Sequence, residues 1–281
     1  MALRLSALLA LAAAAASPES SQAGRGANYL ARLRAEPFTQ ETEAKLDDHP
    51  FVAAAGDGTL TLDQRRAFAA EQFAIPLFCS NPRLSTIVVE DTPTADLFTY
   101  LTGAEKYAGR LLLAHAETAG MDETALAAYN RTSQAQGYPS YFARLALAEN
   151  HAAISAACAI NQPAWGRMCR RLSAALSSSS ERRVVIPSWT YQPGDAGLTF
   201  IDFFASPNGT KLDQVAVALI EQEEVTYEQL AESVRLVQEF MLTFWDAVFA
   251  ADTEAAAYFT SNGRFFHRFS PKTGGFLGDL G

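Results

Sequence analysis

The segment from Thr226 to Phe249 limits what this chain can fold into more than any other. Thr226 and Gln229 have the spacing of a capping box, in which a hydroxyl accepts from the third helical amide and the Gln side chain returns to the cap's own N–H. Behind it Tyr227, Leu230, Val234, Val237, Met241, Phe244 and Val248 recur every three or four residues, one stripe of a helix. A stripe of that length must be covered by other elements, and the sequence offers helices for the purpose. No run sustains period-two alternation, and no Asn-Gly or Asp-Gly turn separates two such runs. The expected fold class is all-α, without a repeat of solenoid length.

The other helices follow from their breakers and caps. Asn28 to Lys45 is helical in character and is followed by a break at Asp47-Asp48-His49-Pro50, where His49 is placed to cap or brace the turn. Gly56-Asp57-Gly58 supplies a turn, and Thr61 with Gln64 forms a second capping box leading into Leu62 to about Ser80, with a kink expected at Pro76. Thr92-Pro93 starts a helix whose apolar pattern runs from Leu97 through Leu113 towards Gly120. A short helix follows over Glu123 to Asn130. Pro139 is expected to open another to about Ala159, and Pro163 one that ends in the Ser177 to Ser180 loop. Trp189 to Gly197 reads as loop, Phe200 to Ala205 and Lys211 to Glu223 as helices.

With 281 residues, 49% of them hydrophobic, the chain can bury one large core. Residues 24–281 are therefore expected to form a single helical domain. The net charge of −9 argues against nucleic acid, whose binding depends on Lys and Arg displacing counterions. Arg167, Arg170, Arg171, Arg182 and Arg183 lie close in sequence, but a helix spreads them around its circumference into a solvated face. Residues 1–23 read as a targeting segment: one Arg, then a Leu/Ala run ending in small residues, too short to span a bilayer comfortably. The Gly/Ser/Arg stretch beyond it leaves plastid and secretory pathway both open as destinations. No other run has the roughly 18 apolar residues of a membrane span. Cys79, Cys158 and Cys169 sit in apolar helical patterns as buried thiols rather than a disulfide framework. Asn130-Arg-Thr132 and Asn208-Gly-Thr210 match the glycosylation triplet, a short and frequent pattern.

His49-Pro-Phe-Val52 through Gly56-Asp-Gly-Thr-Leu60, preceded by one helix and followed by a capped one, resembles the N-terminal signature of the TenA/thiaminase II family. The similarity runs ungapped from His49 to about Gln72 and again from Tyr138 to Leu172, and Phe244-Trp245 resembles the aromatic pair of the family's last helix. The resemblance implies a haem-oxygenase-like multi-helix bundle, shared with the pyrroloquinoline quinone synthase PqqC, with a central pocket. It further implies self-association, since family members are commonly oligomers, and activity on thiamin or an aminopyrimidine derived from it.

Carried over position by position, the family's chemistry is missing. The aspartate that holds the aminopyrimidine falls on Gln72, the reactive cysteine on Asn161 and the glutamate of the final helix on Met241. Tyr138, Trp165 and Tyr191 fall where the family places aromatic residues that sandwich the ring, Trp165 in place of a tyrosine. Aromatic faces still attract a flat ring, and the amides of Gln72 and Asn161 can orient it without supplying a nucleophile. Each of these aromatics, taken alone, is equally a core residue.

Glu71 and Glu239 neighbour the altered positions and are the candidate catalytic carboxylates of a hydrolase, although surface exposure is the commoner fate of such residues. A metal site is not expected: none of His49, His115, His151 and His267 follows a carboxylate by three residues. No organic cofactor is implied. The expected function is binding of a small planar heteroaromatic ligand, a thiamin-related aminopyrimidine, with or without hydrolysis by recruited carboxylates. The alternative is a non-catalytic organellar scaffold, or a pigment- or cofactor-binding subunit.

Overall fold

The computed structural model describes residues 24–79, 93–148, 150–178, 196–206 and 209–252. The targeting segment, Asn208 of the second glycosylation triplet, Tyr191, His267 and the arginines at 182 and 183 fall outside them. Among the described residues all regular structure is helical, as the pattern predicts. In chain order the helices are α1 (Arg25–Ala35), α2 (Pro37–Asp47), α3 (Pro50–Asp57), α4 (Leu62–Cys79), α5 (Pro93–Glu117), α6 (Glu123–Ala128) and α7 (Ser133–Leu147). They continue with α8 (His151–Ser178), α9 (Ala196–Phe204), α10 (Gly209–Gln222) and α11 (Tyr227–Phe249), closed by a 3-10 turn at Ala250–Asp252.

Both predicted capping boxes form. Gln229 N donates to Thr226 Oγ1 at 3.3 Å and Thr226 N to Gln229 Oε1 at 2.9 Å; the pair at Thr61 and Gln64 spans 3.2 and 3.0 Å. His49 caps α3 as expected, its Nδ1 accepting from Phe51 N at 3.2 Å, and Gly58 ends that helix in the left-handed region at φ 69°, which glycine adopts without penalty.

Several boundaries differ from the sequence reading, each for a local reason. The helix expected over 28–45 is two, because Pro37 forces Glu36 into an extended conformation at ψ 136°. Between the break expected at 47–50 and the turn expected at 56–58 lies a helix, α3, with Pro50 in the first turn where its missing N–H costs nothing. Pro139 and Pro163 do not open helices but lie inside α7 and α8. The starts are made by side chains instead: Thr132 Oγ1 accepts from Ala135 N at 3.2 Å, and Asn150 Oδ1 from Ala153 N at 3.0 Å. Pro163 has no amide to give the carbonyl four residues back, and Ala159 O accepts from the Arg34 guanidinium at 3.4 Å.

α11 packs against α7 and α8 and carries its stripe through both main halves of the core. Leu230, Val234 and Val237 join Leu30, Leu33, Leu212 and Leu219 in one half. Met241, Phe244, Trp245 and Val248 join Phe51, Phe68, Trp165 and Met168 in the other. α1 closes the first half by lying against α10 so tightly that a Cβ on Gly26 would stand 2.7 Å from the Val217 carbonyl oxygen. The second half is aromatic, with Trp245 against Phe51 at 5.4 Å, Phe68 at 5.6 Å and Trp165 at 5.3 Å between ring centroids. Burial of side chains this large contributes about 2–3 kcal/mol each, which fixes the helices around them.

Candidate functional site

The aromatic half of the core does not fill completely. Where α4, α5, α7, α8, α9 and α11 meet, a cavity of about 30 Å³ is left, room for a water molecule or two. Trp165, Phe204 and Phe244 form its aromatic wall, with Trp165 6.0 Å from Phe204 and 6.1 Å from Phe244, both edge-to-face. Tyr138 stands on the wall from α7, held by Phe142 at 5.1 Å. Gln72 and Ile75 reach it from α4, Gln162 from α8, Met241 from α11 and Glu105 from α5.

Four of the residues singled out in the sequence thus come together: Gln72, Tyr138, Trp165 and Met241. Asn161 stands behind this wall, fully buried, its Nδ2 donating to Tyr138 Oη at 3.1 Å. Two polar atoms in this small region are left over. Gln72 is 5% exposed and its Nε2 has no hydrogen-bond partner, and the Asn161 Oδ1 has none either. Burying an amide group unpaired costs about 1–3 kcal/mol, so both atoms are open to a water or a ligand.

The two carboxylates named from sequence are not on the wall. Glu71 is buried, not exposed, and it faces the start of α7. Its Oε1 accepts from Thr132 N at 2.8 Å and from Thr132 Oγ1 at 3.1 Å, and its Oε2 accepts from Gln136 Nε2 at 2.6 Å. A carboxylate there meets the positive end of the helix dipole. Burial still holds its pKa above the ordinary carboxylate value, with these hydrogen bonds opposing. Glu239 is exposed and pairs with Arg235 at 2.7 Å on the outer face of α11. Glu71 is one residue from Gln72 and Glu239 two from Met241, rotations of about 100° and 200°, enough to send each side chain elsewhere.

The carboxylate on the wall among the described residues is Glu105, which the sequence reading passed over. Its side chain is half-buried, and no hydrogen bond or ion pair holds its carboxyl among the described residues. Burial pushes its pKa up to about 7. A signal for it exists in the sequence: Leu101, Glu105, Ala108 and Leu112 are spaced four, three and four, so the acid occupies a core register of α5. Phe204, Phe244, Ile75 and Gln162 were also missed. Ile75 and Phe244 each stand one turn after a named residue, and Gln162 adjoins Asn161.

No thiol replaces the missing nucleophile among the described side chains. Cys158, one turn before Asn161, is buried, and burial with the nearby Glu105 charge pushes its thiol up to about 12, so it stays protonated at neutral pH. Cys169, also buried, is pushed up further by the same cause. The three described histidines, His49, His115 and His151, have partners within the fold. His49 Nε2 donates to Asp246 Oδ1 at 3.2 Å, since its Nδ1 is an acceptor, and burial lowers its pKa. His115 is buried against Phe68 and Phe200, donates from Nδ1 to Gly197 O at 2.7 Å, and is held down to about 4 by burial. His151 lies 3.4 Å from Glu223. Among the described residues no His/Cys/Asp/Glu group has the arrangement of a metal site, and no helix is long and apolar enough to cross a membrane. Of the five clustered arginines, Arg167 bridges Glu43 at 2.6 Å and Asp47 at 3.3 Å.

Among the described residues the helices form an all-α bundle that leaves a small aromatic cavity edged by amides. The chain belongs to the TENA/THI-4/PQQC family, whose model matches residues 37–192. Among solved structures it is similar to a TenA homologue protein from P. horikoshii, at 16% identity and a TM-score of 0.59, covering 79% of this chain and 99% of that one. A TenA homolog from Pseudomonas syringae pv. tomato superposes with a TM-score of 0.62 at 10% identity, covering 82% and 95% of the two chains. A TenA family transcription regulator from a Silicibacter species gives 0.56 at 16% identity, covering 80% and 97%. At such identities the likeness concerns the fold. No curated protein matches the sequence.

Proposed function

We propose that the chain binds a small planar nitrogen heterocycle, related to the aminopyrimidine of thiamin, in the cavity beside Trp165. The observation that carries this reading is the buried Gln72 Nε2, a donor without a partner at the edge of an aromatic wall. A ring nitrogen would satisfy it while the Trp165 indole covers a ring face. The cavity holds a water or two as it stands, so a ring enters only if the wall yields. Met241 is the side chain suited to that, being unbranched with three rotatable bonds.

Hydrolysis through Glu71 or Glu239 is not supported, since the first is committed to the α7 terminus and the second to Arg235. Any proton transfer in the cavity falls to Glu105, whose pKa near 7 suits a general base at neutral pH. The proposal includes a targeting role for residues 1–23, checked by where a fluorescent fusion of that segment accumulates.

The test is the melting temperature of the purified protein with 2-methyl-4-aminopyrimidine. At a hundred times its Kd a ligand adds about 2.7 kcal/mol of stability, a shift of several degrees in a chain of this size. No shift at millimolar ligand overturns the reading. Chromatography of the same mixture separates a catalyst, which releases product, from a protein that only holds the ring or serves as scaffold.

A further inference from the structure

Glu105 is in an unusual position for a carboxylate. The cavity it edges is walled by Trp165, Phe204 and Phe244, and no Lys or Arg is found among its described lining residues. Nor does any hydrogen-bond donor reach the carboxyl among the described residues. A carboxylate withdrawn from water without a counter-charge is costly, and the cost is relieved if a bound molecule brings the missing positive charge. The neighbouring walls favour the same kind of molecule: a cation close to an aromatic face is attracted by the ring's quadrupole, most strongly at Trp and more so where water is excluded. Gln72 Nε2, buried and unpartnered on the same cavity, adds a donor for an acceptor atom elsewhere on the ligand.

We infer that the cavity selects flat ring systems carrying a positive charge, with Glu105 the carboxylate that meets the charge and Trp165 the aromatic face that covers it. This rests on the heterocycle reading above and adds a rule of selection: between two rings of one shape, the cationic one binds tighter. Glu105 then acts in binding, through contact with the ligand.

Two molecules of nearly identical outline provide the probe: N-methyl-4-aminopyridinium, permanently charged, and 4-methylaniline, neutral at pH 7.5. Titration calorimetry on the full-length protein is expected to give the cation an affinity at least about tenfold higher, as a desolvated cation–aromatic contact and a carboxylate together allow. In Glu105→Gln, which keeps shape and removes charge, that preference should shrink several-fold, to what the Trp165 face alone provides, while 4-methylaniline binds as before. Equal wild-type affinities for the two probes overturn the charge rule and leave the heterocycle reading standing. A preference of unchanged size in Glu105→Gln overturns the role of Glu105. If the wild type binds neither probe nor 2-methyl-4-aminopyrimidine, both readings fall. The wild-type comparison needs no variant, so the rule is testable even if Glu105→Gln does not fold.

Discussion

Glu71 and Glu105 are both withdrawn from water and are treated in opposite ways by their surroundings. At the junction of α4 and α7, Glu71 receives a backbone amide, a hydroxyl and a side-chain amide within 3.1 Å, at a helix start whose dipole favours an anion. At the cavity, Glu105 receives no such donor, and burial raises its pKa to about 7. The first carboxylate holds two helices together, while the second leaves an electrostatic debt in the resting fold. The difference teaches that burial alone says little about function. A buried charge whose partners are all supplied by the fold is structural, and one whose partners are missing is open to a ligand.

Glu71→Ala is the strongest way to break this contrast. It strands the amide of Thr132 and the side chain of Gln136, and unfolding by denaturant should show a loss of about 4 kcal/mol. Ligand binding by the folded fraction should be unchanged. A loss below about 1 kcal/mol would mean that Glu71 is as poorly held as Glu105.

Met241→Ala comes next. Truncating a fully buried Met costs about 3 kcal/mol in a thermal or urea melt. Because it widens the cavity, affinity for the aminopyrimidine should rise as stability falls. A drop in both would make Met241 packing only.

Glu105→Gln should go the other way and stabilise the apo-protein by about 2 kcal/mol at pH 8, allowing for solvent screening of the half-buried side chain. The sign follows from the raised pKa. The unfolded chain releases the proton near 4.5 and the folded one near 7, so wild-type stability falls as pH rises through that window. The gain should therefore be present at pH 8 and absent at pH 4. His115 has the opposite sign: its pKa is lowered from 6.5 to about 4, so stability from its neutral ring is lost as pH falls through that range. A stability profile flat from pH 4 to 8 in both wild type and Glu105→Gln would contradict both assignments.

Glu239→Gln should have the smallest effect. It removes an exposed pair four residues apart on a helix, so stability should change by less than about 0.5 kcal/mol and binding not at all. A clear loss of binding would return Glu239 to the site.

The amino-acid sequence by itself determined the helical class, both capping boxes, the stripe of α11 and the convergence of Gln72, Tyr138, Trp165 and Met241. Those rest on periodicity and on short-range pairing along one chain, or on a resemblance carried by contiguous stretches. Only the tertiary structure decided which carboxylate enters the cavity. Glu71 and Gln72 differ by one step around a single helix, and whether a side chain meets a helix start or an aromatic wall depends on elements far away in sequence. Glu105 shows the same limit from the other side: its core register on α5 is visible in the sequence, but its lack of partners emerges only once the helices around it are in place.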